Sequence, residues 1–168
     1  MSHFSSIKTT LIDKQALVEG LKSLLASHQI DIPVEIYESP MQLFNDYDRR
    51  NTDEGEIIIR RTYLKTRNRD ALVDVGFANN PTINAYEIKV DAWDFNQNLL
   101  GSVFGNVRNF QESVQLAHNQ AYINIHYPPE IWDYQQSTLD DGSLQTTLTK
   151  KVSLTVSNSN GNDWNNWQ

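Results

Sequence analysis

At 168 residues, with a formal net charge of −7 and no cysteine, the chain has the size of one domain that can bury a core without covalent staples. The missing thiol excludes disulfides, thiolate metal sites, iron–sulfur ligation and cysteine nucleophiles, and the acidic balance argues against broad attraction to nucleic acid or anionic lipid. The opening MSHFSSIKTT has no apolar h-region and no run approaches about 18 apolar residues, so a soluble, cytoplasmic protein without membrane insertion is expected.

Residues 3–11 read as a first strand. Asp13 is a good N-cap, and Leu17, Leu21, Leu24 and Leu25 follow at helical spacing, which predicts a helix over 13–27. Pro33 biases the stretch around 32–37 toward extended backbone. Ser39-Pro40-Met41-Gln42 has the form of a capping box with proline at the first helical position, so a short helix bearing Leu43, Phe44 and Tyr47 is expected before the polar run 49–54. The isoleucine-rich stretch 56–64 is a further strand.

The chain is organised around 71–94, ALVDVGFANNPTINAYEIKVDAWD. Val73, Val75 and Phe77 share one face of a first strand. Tyr86, Ile88, Val90 and Ala92 share one face of a second, with Glu87, Lys89, Asp91 and Trp93 on the other. Strict alternation of this kind marks a half-buried antiparallel pair, joined here by an Asn- and Pro-bearing turn. From Val103 the period lengthens: Val103, Val107, Phe110, Val114, Ala117, Ala121 and Ile125 form one face of a long helix that Pro128-Pro129 ends. A last hairpin over 130–138 and 144–156 turns at Asp140-Asp141-Gly142-Ser143, with Leu144, Leu148, Val152, Leu154 and Val156 on one core-facing side. The sum is an α+β fold: an antiparallel or mixed sheet of about six or seven strands with two main helices on one face, as a single domain over 1–156. The remaining 157–168, dominated by Asn with Trp164 and Trp167, is expected to be a flexible tail.

Three pieces of the chain together resemble a known family. Met1-Ser2-His3-Phe4-Ser5-Ser6-Ile7-Lys8-Thr9 leads into a Leu-rich helix. The hairpin reads Asp74-Val75-Gly76-Phe77, Asn80-Pro81-Thr82 and Tyr86-Glu87. It runs on through Asp91-Ala92-Trp93-Asp94 to a long helix. This is similar to the hypothetical chloroplast reading frame thirty-five family, also classed as domain of unknown function twelve fifty-seven. The resemblance spans roughly 1–155, with 45–56 and 157–168 as departures. It implies a small protein of a cyanobacterial or plastid lineage and no established activity.

Chemistry-bearing candidates are few. Arg49, Arg50, Arg60, Arg61, Lys65, Arg67 and Arg69 are seven of the chain's 14 cationic residues. On one surface they would hold phosphate, RNA or an acidic protein; alternatively, Arg60 and Arg61 pair with Asp74, Glu87 or Asp91 and the rest are solvated. Asp74, Glu87 and Asp91, with Asp94, are the catalytic candidates: converging carboxylates split their pKa values or bind a hard cation. The other reading makes them the solvent-facing half of alternating strands. His3, His28, His118 and His126 are scattered, and no HExxH, nucleophile elbow, P-loop or dinucleotide fingerprint is present. No metal or cofactor is expected. Trp93, Trp132 and Tyr134 are expected in the core or at its rim, whereas Trp164 and Trp167 suit an anchor for a partner. The reading these observations favour is a non-enzymatic binding or accessory protein whose partner is another protein. An enzyme using the hairpin acids and an RNA-binding protein using 49–69 are the alternatives.

Overall fold

The structure, a computed structural model, describes residues 3–151. Val152, Leu154, Val156, Trp164 and Trp167 lie outside the described residues. The chain divides into two compact units, 1–123 and 124–168, where the sequence reading runs one domain over 1–156.

In the first unit, β1 (Ser5–Leu11), β2 (Glu35–Gln42), β3 (Glu54–Ile59), β4 (Val75–Asn80) and β5 (Ala85–Val90) form a five-stranded antiparallel sheet in the order β1-β5-β4-β3-β2. The expected sheet of six or seven strands is therefore five. Among the described residues, the last two strands, β6 (Trp132–Thr138) and β7 (Leu144–Lys150), pair only with each other.

The register shows why the sheet is two-sided. Ile57 of β3, Phe77 of β4, Ile88 of β5 and Ile7 of β1 lie in one row across four strands. They join Ile59, Val75 and Val90 in an apolar cluster with Leu17, Leu21 and Leu25 of α1 (Lys14–Ser27) and Phe110 and Val114 of α4 (Val107–His126). Each such side chain, fully buried, contributes about 1.5–3 kcal/mol. Asp13 caps α1 as expected, accepting from Ala16 N at 2.8 Å. The two main helices approach very closely: a Cβ added to Gly20 of α1 would lie 2.7 Å from the Ala117 carbonyl of α4.

The opposite row, Ile58, Gly76 and Lys89, faces away from the helices. Leu43 covers it, with its methyl groups where a Cβ on Gly76 would stand, 2.6 Å from one of them. The expected helix after Ser39 is thus absent. Residues 35–42 form an edge strand instead, with Pro40 free of any ladder duty, and Gln42 pairs with Glu54. Leu43 N then donates to Asp53 O, and Phe44–Asp46 runs against 72–74 through Asn45↔Val73. Burial of Leu43 and these backbone bonds outweigh the capping signal.

A second correction falls at 91–94. The alternation of β5 stops at Val90, and Asp91 caps α2 (Ala92–Gln97) by accepting from Asp94 N at 2.8 Å. Ala92 and Trp93 are therefore helical. Trp93, expected in the core or at its rim, is 57% exposed. The long helix also starts later than Val103. Asn98 caps α3 (Leu99–Phe104), and Gly105 at φ +90° breaks the chain before α4. Of the anticipated apolar face, Phe110, Val114 and Ala121 are buried and Val103 is not.

In the second unit, β6–β7 turns at Gly142 (φ +85°), as read from the sequence. Of its expected core side, the two described residues differ: Leu144 is 53% exposed and Leu148 half-buried. Trp132 packs edge-on against Tyr127, and the Tyr134 hydroxyl donates to the Tyr127 carbonyl. Among the described residues, no helix is long and apolar enough to cross a membrane.

Candidate functional site: an aromatic–arginine surface

Two buried carboxylates organise the sheet end where β3 finishes and β4 begins. Asp74, only 1% exposed, accepts from Phe44 N at 2.7 Å, Arg61 N at 2.8 Å and Arg60 Nη1 at 2.8 Å. Arg60 reaches on through Nε to Glu35 at 2.8 Å, and Glu35 accepts from the Tyr37 hydroxyl at 2.5 Å. Desolvation pushes the Glu35 carboxyl up, but the Tyr37 hydroxyl and Arg60 outweigh it and hold the group below its ordinary value. Every oxygen of Asp74 is engaged in holding the crossing segment and the β3 exit in place. This is a scaffold role.

Asp94 does the same one step further along. It accepts from Leu72 N and Val73 N at 3.1–3.3 Å and pairs with Arg69 Nη2 at 3.1 Å. Burial raises its pKa above the ordinary value despite the two backbone donors and the arginine. Arg69 Nη2 also donates to the Tyr47 hydroxyl at 2.8 Å, while Arg69 Nη1 is buried with no hydrogen-bond partner. The Tyr47 phenol is raised by burial, with the charges of Asp94 and Asp91 adding to it against Arg69.

On this scaffold sit three exposed aromatics, each touching a guanidinium or another ring. The Arg61 guanidinium lies 4.0 Å over Phe44, and that of Arg69 lies 5.0 Å over Trp93. Tyr47 meets Trp93 edge-on with centroids 6.0 Å apart. Phe44 and Tyr47 are 37% and 39% exposed. Beside them opens a cleft of about 330 Å³ lined by Asp46, Arg61, Thr62, Lys65, Asp70, Ala71 and Leu72.

The basic segment is thus only partly free. Arg49 is tied to Asp46 at 2.9 Å, Arg60 to Asp74 and Glu35, and Arg69 to Asp94. Arg50, Lys65 and Arg67 are exposed. The proposed pairing of Arg60 with Asp74 is present, while Arg61 gives Asp74 only its backbone N–H.

The hairpin acids do not form a common site. Gly76 pairs with Lys89 and Ala78 with Glu87, which sets Asp74 and Glu87 four positions apart along the ladder, about 13 Å. Asp91 is spent on the α2 cap, and Glu87 accepts from Asn80 Nδ2 at 2.7 Å. Glu87 instead belongs to a second cleft of about 320 Å³ at the other end of β3, with Asp53, Glu54, Glu56 and Lys89. Among the described residues, no cluster of three or more His, Asp or Glu has metal-binding geometry. His118 is a buried structural histidine: Nε2 accepts from Asp13 N at 3.3 Å, so Nδ1 donates to Asn119 Oδ1 at 2.9 Å.

Phe44, Tyr47 and Trp93 were not legible as surface residues from the sequence. The first two mimic the apolar face of a short helix, and Trp93 continues the β5 alternation by coincidence. The usable signal was Asp91-x-x-Asp94, a cap spacing overlaid on the end of a strand pattern. No family model, no curated protein and no solved structure matches this chain.

Proposed function

We propose that this chain is a non-enzymatic binding protein that engages another protein through Phe44, Tyr47, Arg61, Arg69 and Trp93. The observation that carries this reading is the fixed exposure of three aromatic rings on arginine supports, above all Trp93 at 57%. Trp, Tyr and Arg dominate interface hot spots: the rings combine large contact area with few rotatable bonds, and arginine brings a planar fork of donors. Here the rotamers are already held by ion pairs and ring contacts, which lowers the ordering cost of association. A photosynthetic lineage enters this proposal through the resemblance of the opening segment and central hairpin alone.

RNA binding through 49–69 has less support. Three of its seven cations, Arg49, Arg60 and Arg69, are neutralised by carboxylates of the same fold. The net charge of −7 opposes an extended polyanion.

The test starts with the purified protein as bait, beside Trp93→Ala and Tyr47→Ala. A protein recovered by the parent is then titrated as a purified partner. Trp93→Ala should weaken binding by about thirtyfold or more, the size of a hot-spot loss, with the melting temperature unchanged. A partner that binds all three proteins equally would move the interface elsewhere.

A further inference from the structure

We infer that the cleft between Arg61 and Lys65 receives an aspartate or glutamate side chain from an acidic, apolar-flanked peptide segment of the partner. This rests on the proposed aromatic–arginine surface and specifies what approaches it.

The argument begins with Arg61. Its backbone N–H is held by Asp74 at 2.8 Å and its guanidinium lies over Phe44 at 4.0 Å, so its position is fixed from two sides. Stacking covers one face of the guanidinium and leaves its edge, where all the N–H donors point. No carboxylate pairs with that edge among the described residues, nor with Lys65. A guanidinium stacked on a ring with its edge open is arranged for two parallel hydrogen bonds to one carboxylate. Lys65, on the same cleft, adds a point charge.

The acids of the cleft do not fill this role. Asp46 is taken by Arg49 at 2.9 Å, and Asp70 lines the rim without an ion pair to Arg61 or Lys65. Arg67 stands nearby in sequence and is exposed, so the free charge around the cleft is positive on an otherwise acidic chain. The opposite end of β3 carries Asp53, Glu54, Glu56 and Glu87 around the second cleft. A long polyanion crossing the sheet would meet that acidic end. A short acidic segment would not. The apolar requirement comes from the neighbours: Phe44 lies under the Arg61 guanidinium, and Tyr47, one residue from Asp46 of the cleft, meets Trp93 edge-on, all three rings exposed. Charge in the cleft and apolar contact beside it describe a mixed acidic–hydrophobic peptide.

A random peptide display library panned on three baits tests this: the parent, Arg61→Gln/Lys65→Gln and Trp93→Ala. The parent should select peptides enriched in Asp or Glu next to an apolar residue. The double variant should select peptides that have lost the acidic preference, and Trp93→Ala should select none above background. Synthetic copies of the parent-selected peptides should bind the double variant about tenfold more weakly at low salt, with the gap narrowing as salt rises. Parent-selected peptides no more acidic than the input library would overturn the inference and leave the aromatic surface standing. Selection that is unchanged by Trp93→Ala would remove the surface itself, and the inference with it. Displacement of the acidic peptide by oligouridylate at lower concentration than by unlabelled peptide would assign the cleft to nucleic acid instead.

Discussion

β4–β5 and β6–β7 are both antiparallel pairs, yet their side chains stand in very different surroundings. In β4–β5, Val75, Phe77, Ile88 and Val90 are at most 1% exposed, covered by α1 and α4. Its other side is roofed by Leu43 on Gly76. In β6–β7 apolar residues are sparser, with Leu144 and Leu148 four apart along β7; Leu144 is 53% exposed, and the aromatic contact is Trp132 on Tyr127. Strand pairing therefore settles which residues share a side, and it does so with or without a regular apolar alternation. What lies on that side is decided by other segments.

The comparison can be tested by truncation. Phe77→Ala should cost about 3–5 kcal/mol in urea unfolding, since it empties the middle of a row that crosses four strands. A loss below about 1 kcal/mol would mean that β4–β5 is no better packed than β6–β7.

Next in size is Gly76→Ala. Its new methyl would meet the Leu43 side chain at 2.6–2.8 Å, so about 1–3 kcal/mol of overpacking is expected. Leu43→Ala in the same chain should return part of that loss, and the cycle measures how firmly the crossing segment roofs the sheet.

A smaller effect should appear with pH. The buried Asp94 carboxyl holds its proton to higher pH in the fold than at its ordinary value of 3.8. Between those two values the native chain binds more protons than the unfolded one, so this group makes stability fall as pH rises through the window. Asp94→Asn should flatten that limb of a melting-temperature profile. Glu35 works in the opposite sense: its carboxyl is held below 4.5, so its contribution is present above 4.5 and lost as pH falls through the folded value. A profile unchanged by Asp94→Asn would show that Asp94 is better solvated than its burial implies.

Smallest of all should be Leu144→Ala, within about 0.5 kcal/mol, as for a substitution away from any packed interior. A loss approaching that of Phe77→Ala would place Leu144 in a core after all.

Much of the fold was legible because local and long-range signals agreed. Asp13 caps a helix whose leucines face the sheet, the 73–90 pattern gives the central pair, and Gly142 marks a turn. Where they disagreed, the sequence misled. Ser39-Pro40-Met41-Gln42 carries a helix-start pattern, but its backbone is claimed by β3 and the following leucine by Gly76. Ala92 and Trp93 extend an alternation that the Asp91 cap overrides. The candidate site was legible only in its arginines. Their division into held and free cations depends on Asp74 and Asp94, which are distant in sequence from the loop they anchor.

The two edge strands have a consequence for how this protein meets others. The register of β1 slips between Ile7 and Leu11, and that of β2 between Ile36 and Met41, where Pro40 also withholds an N–H. Neither edge offers a straight row of donors and acceptors, which makes the five-stranded sheet a poor template for a foreign strand. The chain can display Ile36 and Met41, 44% and 42% exposed, without templating its own aggregation. At the five-stranded sheet, recognition is thereby left mainly to side chains.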